Sequence, residues 1–170
     1  CPTPPMNLAL GSGDNWIVQG RPLAGAPRMS KDFLRTMSES SSVPLAVLPY
    51  RIQAVDGGQL ALRYIRMMGN WGSECLPQAG YILVDTAAQV GLETIFFDGE
   101  TAGAKIGGAI LARAQASVSV MLSTFHLLQS DQGGGVWADS STLVISVSRF
   151  DGCSSPSGGG GSIYAASCSL

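Results

Sequence analysis

One hundred and seventy residues suffice for one domain, or one domain with a tail. Hydrophobic residues make up 45% and charged residues only 13%, which excludes a chain disordered throughout. Ten basic residues against twelve acidic ones give a net charge of −2, and Lys31 and Lys105 are the only lysines. That excludes a nucleic-acid binder working through a concentrated basic surface.

Residues 1–29 carry Pro2, Pro4, Pro5, Pro22 and Pro27, so they read as an extended N-terminal arm rather than a helix. Within the arm, Met6, Leu8 and Leu10 alternate with Asn7 and Ala9, the period of a half-buried strand, and Trp16 to Val18 suggests a second. No local hairpin partner exists for the first strand. It must pair with a distant edge of its own sheet or with a neighbouring subunit. Ser30 to Glu39 reads as a short helix, with Ser30 as cap, Asp32 in the first turn, and Phe33, Leu34 and Met37 forming an apolar stripe.

From residue 43 the pattern is that of strands. Pro44 and Pro49 suit a kinked or edge strand before the turn at Asp56-Gly57-Gly58. Strands follow over 60–68, 80–87 and 92–97, then a turn at Asp98-Gly99 and a strand over 109–114. Val118, Val120 and Leu122 alternate with serines, as do Leu143, Ile145 and Val147, each set giving one apolar and one polar face. The expected fold is mainly β: an antiparallel β-sandwich or jelly roll over 30–150, with one short helix near 30–40. Residues 151–170 read as a Gly/Ser-rich tail. Its Ser-Gly-Gly-Gly-Gly-Ser run at 157–162 has the composition of a flexible linker, native or inserted ahead of a fused peptide.

No apolar run is long enough to span a bilayer as a helix, and no leader-like segment opens the chain. Cys1, Cys75, Cys153 and Cys168 form no CxxC pair and lack histidines at ligand spacing, so no metal site is expected. Their even number fits two disulfides. Cys153–Cys168 would close a loop over the glycine tract and leave Cys1–Cys75; free thiols or a lipidated Cys1 are the alternatives.

The catalytic inventory is thin. His126, the single histidine, lies among Phe125, Leu127 and Leu128, and reads as a packed residue. No nucleophile elbow, phosphate loop or zinc-protease motif occurs. Asp85, Glu93, Asp98, Glu100, Asp131 and Asp139 are the carboxylates a small hydrolase would draw on, and two of them would have to converge across a cleft. Asp98 and Glu100 around Gly99 also admit a loop calcium site, without the regular spacing of known loop sites. Trp16, Trp71 and Trp137 fall at loops or loop edges, where indoles either cover the end of a core or stack on sugar rings.

Leu76 to Val84 reads L-P-Q-A-G-Y-I-L-V, followed by F-F-D-G-E at 96–100, A-S-V-S-V-M-L at 116–122 and S-T-L-V-I-S-V at 141–147. This order resembles tumour-necrosis-factor-like and complement-head-like jelly rolls over residues 76–150. The resemblance implies a trimer presenting binding surfaces at loops or protomer boundaries, and transfers no functional residue.

Together these features lead to the expectation of a non-catalytic, cofactor-free, extracellular or cell-surface subunit. It would assemble with itself in a surface filament, pilus-like fibre or receptor-binding head, and its loops would be available to glycan or protein. Low charge with high apolar content favours an assembling chain over a monomer. The alternative is a small secreted glycan- or peptide-acting hydrolase using loop carboxylates.

Overall fold

The computed structural model of the chain describes residues 7–19, 46–48, 51–68, 80–99, 103–157 and 159–169. Every strand pairing among them is parallel. One sheet stacks β1 (Asn7–Leu10), β4 (Arg51–Ala54), β6 (Ile82–Val84), β9 (Ile110–Ala112), β13 (Val136–Asp139) and β16 (Ile163–Ala166), in that order. The second contains β2 (Asn15–Gln19), β3 (Ala46–Leu48), β5 (Gln59–Met68), β7 (Gln89–Asp98), β10 (Ser117–Met121), β11 (Thr124–His126), β14 (Thr142–Ser146) and β15 (Arg149–Asp151). A third, two-stranded sheet pairs β8 (Gly103–Ile106) with β12 (Gln129–Gln132). The chain visits these faces in turn and comes back to the first, one rung further on. The fold is a parallel β-solenoid.

Like sits on like along the coil axis. The register places Leu10, Ala54, Val84, Ala112, Ala138 and Ala165 in one column. Leu60, Val90, Val118 and Leu143 form a second, and Leu62, Leu92, Val120 and Ile145 a third. Met67, Phe97, Phe125 and Phe150 form a fourth, in which the Phe97 and Phe125 rings stack at 4.8 Å and those of Phe125 and Phe150 at 4.4 Å. The alternation of Val118 and Val120 with Ser117 and Ser119 separates core from surface here as it would in a sandwich.

Corners recur as columns too. Between the first and second sheets, Asp56, Thr86, Ala87, Ala114, Gln115, Ser140 and Ser167 adopt left-handed backbone. Within the second sheet the chain bends at Tyr64, Thr94, Leu122 and Val147, all left-handed, before the aromatic column. Even the corners bond from rung to rung: Gly57 N–H donates to Thr86 O at 2.9 Å, and Ala87 N–H to Ala114 O at 2.9 Å. Asp56-Gly57-Gly58 is therefore a corner, not a hairpin turn.

These observations correct the expected antiparallel sandwich and the resemblance to tumour-necrosis-factor-like jelly rolls. The strands from β6 to β15, which span most of residues 76–150, pair in parallel throughout. No helix occurs among the described residues, and the helix expected at 30–40 lies outside them. The expected disulfide pairing is corrected as well: Cys153 and Cys168 are free thiols, while Cys1 and Cys75 lie outside the described residues. Within the N-terminal arm, β1 and β2 pair with β4 and β5 of the same chain, and Leu10 is buried.

The glycine tracts form the corner that leads back into the first sheet. Gly80 N–H donates to Gly107 O, Gly108 N–H to Gly133 O and Gly134 N–H to Gly161 O, at 3.0 to 3.1 Å. A Cβ on Gly108 would lie 1.9 Å from Gly134 O, and one on Gly134 would lie 2.2 Å from Gly161 O. Rungs approach so closely here that a side chain has no room. Gly91, in the middle of β7, is the opposite case, with nothing within 4 Å of the Cβ it lacks. Gly108→Ala is expected to cost about 3 kcal/mol through overpacking against backbone. Gly91→Ala should gain roughly 0.5–1 kcal/mol. Denaturant titration of both variants checks the contrast, and equal effects would contradict the stacked corner.

Candidate functional site

In a solenoid, chemistry is displayed on the outward rows of a sheet or at the ends of the stack. The outward face of the second sheet, beyond its bend, carries the densest polar group among the described residues. Parallel register puts Asp98, His126 and Asp151 one above another, and in the neighbouring row Arg66, Phe96, Thr124 and Arg149. His126 Nδ1 lies 3.5 Å from Asp151 Oδ2, which also receives Arg149 at 3.3 Å. Arg66 pairs with Asp98 and lies over the Phe96 ring, 5.2 Å from its centroid. Asp98 is 92% buried, its backbone carbonyl accepts the Tyr81 hydroxyl, and its Oδ1 has no hydrogen-bond partner within the described residues.

Each carboxylate in this group has a basic neighbour one rung away or on its own rung. The same is true of Glu93, 3.0 Å from Arg63, and of Asp85, 2.6 Å from Arg113. The partners in both pairs come from successive rungs. Their chemistry is that of braces between coils, adding little at the exposed Arg63–Glu93 pair and more where Arg66 and Asp98 are enclosed.

Of the six acids considered from the sequence, the five described ones are spread over the coil. Asp85 sits at a corner, Glu93 on the flat part of β7, Asp98 at its end, Asp131 in β12 and Asp139 at the end of β13, with Glu100 outside the described residues. Sequence reasoning missed the alignment of His126 with Asp98 and Asp151. A self-comparison would have found half of it, because an offset of 28 residues lays Val90 on Val118, Phe97 on Phe125 and Asp98 on His126, whereas Asp151 follows His126 by 25. Among the described residues, no group of three or more His, Cys, Asp or Glu side chains is arranged to hold a metal ion.

The two described tryptophans, Trp16 and Trp137, are not brought together. Trp16 stands on β2 at the N-terminal edge of the second sheet, 45% exposed, heading the column of Leu60 and Val90. Trp137 lies on the outward face of the first sheet, where its ring stacks on Tyr164 at 5.8 Å and packs against Leu83 and Leu111. Trp71 lies outside the described residues.

The stack ends in strands with an unpaired side. Within the described residues, nothing pairs with the outer edge of β15 or β16, and beyond β14 only Ser169 bridges to Thr142. Core columns that are sealed at inner rungs are only partly covered here, at Ile145, Phe150, Cys153 and Cys168, and Ile163 is 36% exposed. Within the described residues, no helix is long and apolar enough to cross a membrane. The chain matches no protein-family model, no curated protein and no solved structure.

The two free thiols sit on different faces. Cys153 follows β15 and points its sulfur at Phe125 O, 3.4 Å away, whereas Cys168 follows β16 and lies 3.6 Å from the Ser141 hydroxyl. Burial pushes the Cys153 thiol above its ordinary value of 9.0, helped by the nearby Asp151 charge and opposed by backbone hydrogen bonds. Its thiolate is thus rarer at neutral pH than that of an exposed cysteine. Alkylation of Cys153 should be slow at pH 7 and accelerate only above pH 9. The raised value also means that this site's contribution to stability is present below the unfolded thiol's pKa and lost as pH rises through the folded one. Peptide mapping after timed alkylation checks the rate, and fast labelling at pH 7 would contradict the burial.

Proposed function

We propose that the chain is a non-catalytic structural or adhesive subunit, working at the cell surface or secreted, that joins copies of itself end to end. The observation that carries this reading is that, among the described residues, the edges of the last rung are unpaired and its core columns only partly covered. Repeat folds need polar caps to stay soluble as monomers, and an unpaired strand edge is a template for another strand. Here the edges of β14 to β16 adjoin half-covered core columns, with Ile163 partly exposed beside them. At the other end, β1 and β2 pair on one side only among the described residues, and Trp16 and Ile17 are exposed.

The first and last rungs differ in side-chain size. In the column through Leu10 and Ala165, the large residue lies at the N-terminal end and the small ones, Ala138 and Ala165, at the C-terminal end. A second copy placed head to tail would continue the backbone ladder from the unpaired edges. Such a contact is heterologous and does not close on itself, so it grows into a filament. The pairing of carboxylates with arginines favours bracing over acid–base work. Outward rows rich in Ser, Gln, Thr and Asn instead of lysine suit display outside the cell.

Light scattering and electron microscopy at micromolar concentration test the assembly. Rods of constant width are expected, and Ile163→Lys should abolish them while leaving the circular dichroism of the chain unchanged. A strictly monomeric wild-type chain would sink the proposal.

A further inference from the structure

The outward face of the second sheet before its bend holds a groove of about 330 Å³ that the braces do not use and that begins on the terminal strand β2. Three consecutive rungs form its floor from small residues in register: Ala61 on β5, Gly91 on β7 and Ser119 on β10. The flanking row keeps longer side chains, Asn15, Gln59 and Gln89, again in register. Gln59 and Gln89 are exposed, and these amides make no hydrogen bond to any described residue. Ile17, 69% exposed, forms an apolar wall at the N-terminal end.

Three features define what fits. No lining residue is charged, so the groove offers no complement to a phosphate, a carboxylate or a basic peptide. The backbones of β5, β7 and β10 pair in succession, β7 between the other two, so a peptide cannot add here as a strand. Recognition falls to side chains that both donate and accept hydrogen bonds, repeated at the rung spacing of about 4.8 Å along the coil axis. That repeat is close to the length of one pyranose unit. Small floor residues accept the apolar C–H face of a sugar while the amides take its hydroxyls.

We infer that this groove binds a neutral oligosaccharide lying along the solenoid axis across three rungs. Its volume is at the small end of the range of ligand sites, about 300–1,000 Å³, which suits a short segment of a longer glycan. Gly91, Gln59 and Gln89 would decide affinity, and all three lie on β5 and β7, away from both ends of the stack. The inference does not rest on end-to-end assembly.

Titration calorimetry of the full chain with cellohexaose, xylohexaose, maltohexaose and mannohexaose tests it, with hexagalacturonate as the charged control. At least one neutral hexasaccharide is expected to bind, and hexagalacturonate to bind at least tenfold more weakly. Gly91→Tyr fills the trough at a position with open space above it, and should lower affinity at least tenfold with an unchanged melting temperature. Should that variant unfold, the exposed double variant Gln59→Ala/Gln89→Ala gives a second reading and should show the same loss. No binding by any neutral probe would overturn the inference, as would tighter binding of the charged control or affinity that survives in a folded variant. Repeating the titration with the Ile163→Lys chain separates loss of assembly from loss of sugar binding.

Discussion

Each inner strand of this protein hydrogen-bonds to the strands one rung above and below it, and that register constrains the rest of the molecule. A residue's neighbours along the axis occupy the same position of the coil, so an unsuitable side chain is felt by two rungs at once. Apolar columns follow from this, as do corners that must turn in the same place each time. Left-handed backbone at a non-glycine residue costs roughly 1–2 kcal/mol, yet Tyr64, Thr94, Leu122 and Val147 all accept it at one corner. Serines help to hold that corner. The Ser123 hydroxyl accepts Ile95 N–H at 3.1 Å, and the Ser148 hydroxyl accepts Ser123 N–H at 3.2 Å. Side chains thus take over the rung-to-rung bond where the bend displaces the backbone ladder.

Sparse charge is used within the same register. Three arginine–carboxylate pairs connect rungs: Arg63 with Glu93, Arg66 with Asp98 and Arg113 with Asp85. Like charges would otherwise stack about 4.8 Å apart in a parallel fold, and their repulsion grows as burial lowers the effective dielectric. Alternating the sign from one rung to the next removes that penalty. The low charged fraction therefore follows from the architecture as much as from any partner.

Strands such as those over 59–68, 89–98, 117–121 and 142–146 were legible in the sequence, whereas the short strands at 103–106, 124–126, 129–132, 136–139, 149–151 and 163–166, and the topology, were not. Alternation of Val118 and Val120 with serines tells which face is buried, but the period of two is the same in parallel and antiparallel sheets. The decisive signal was the spacing of corresponding core residues, from Ala54 to Val84, Ala112, Ala138 and Ala165. These steps are 30, 28, 26 and 27 residues long, so no fixed period shows. Corner chemistry hides the repeat further, because Asp-Gly-Gly, Thr-Ala-Ala and Ala-Gln-Ala serve one corner. Composition misled at the other corner. The glycine run at 157–162 suggests a flexible linker, whereas Gly159 and Gly161 accept rung-to-rung bonds at the corner where, on inner rungs, the close approach of backbone leaves Gly108 and Gly134 no room for a Cβ. The cysteines misled by their even count, since pairing needs proximity, and Cys153 and Cys168 end strands of different sheets. Nothing local marks Asp98, His126 and Asp151 as neighbours, because only the coil brings them together.

Contacts in a stack are confined to adjacent rungs, so stability is distributed nearly one-dimensionally and the terminal rungs have half the support of inner ones. Burial falls accordingly along one column: Leu60, Val90, Val118 and Leu143 are almost fully enclosed, while Trp16 at its head is 45% exposed. The ends are where a solenoid is both weakest and most able to take another partner, and the same apolar exposure accounts for both. Faces behave differently. A groove on the side of the stack is supported from both directions along the axis, and its floor, Ala61, Gly91 and Ser119, lies on rungs that are paired above and below. Rigid, repetitive display of small and amide side chains is thus placed where the fold is best supported.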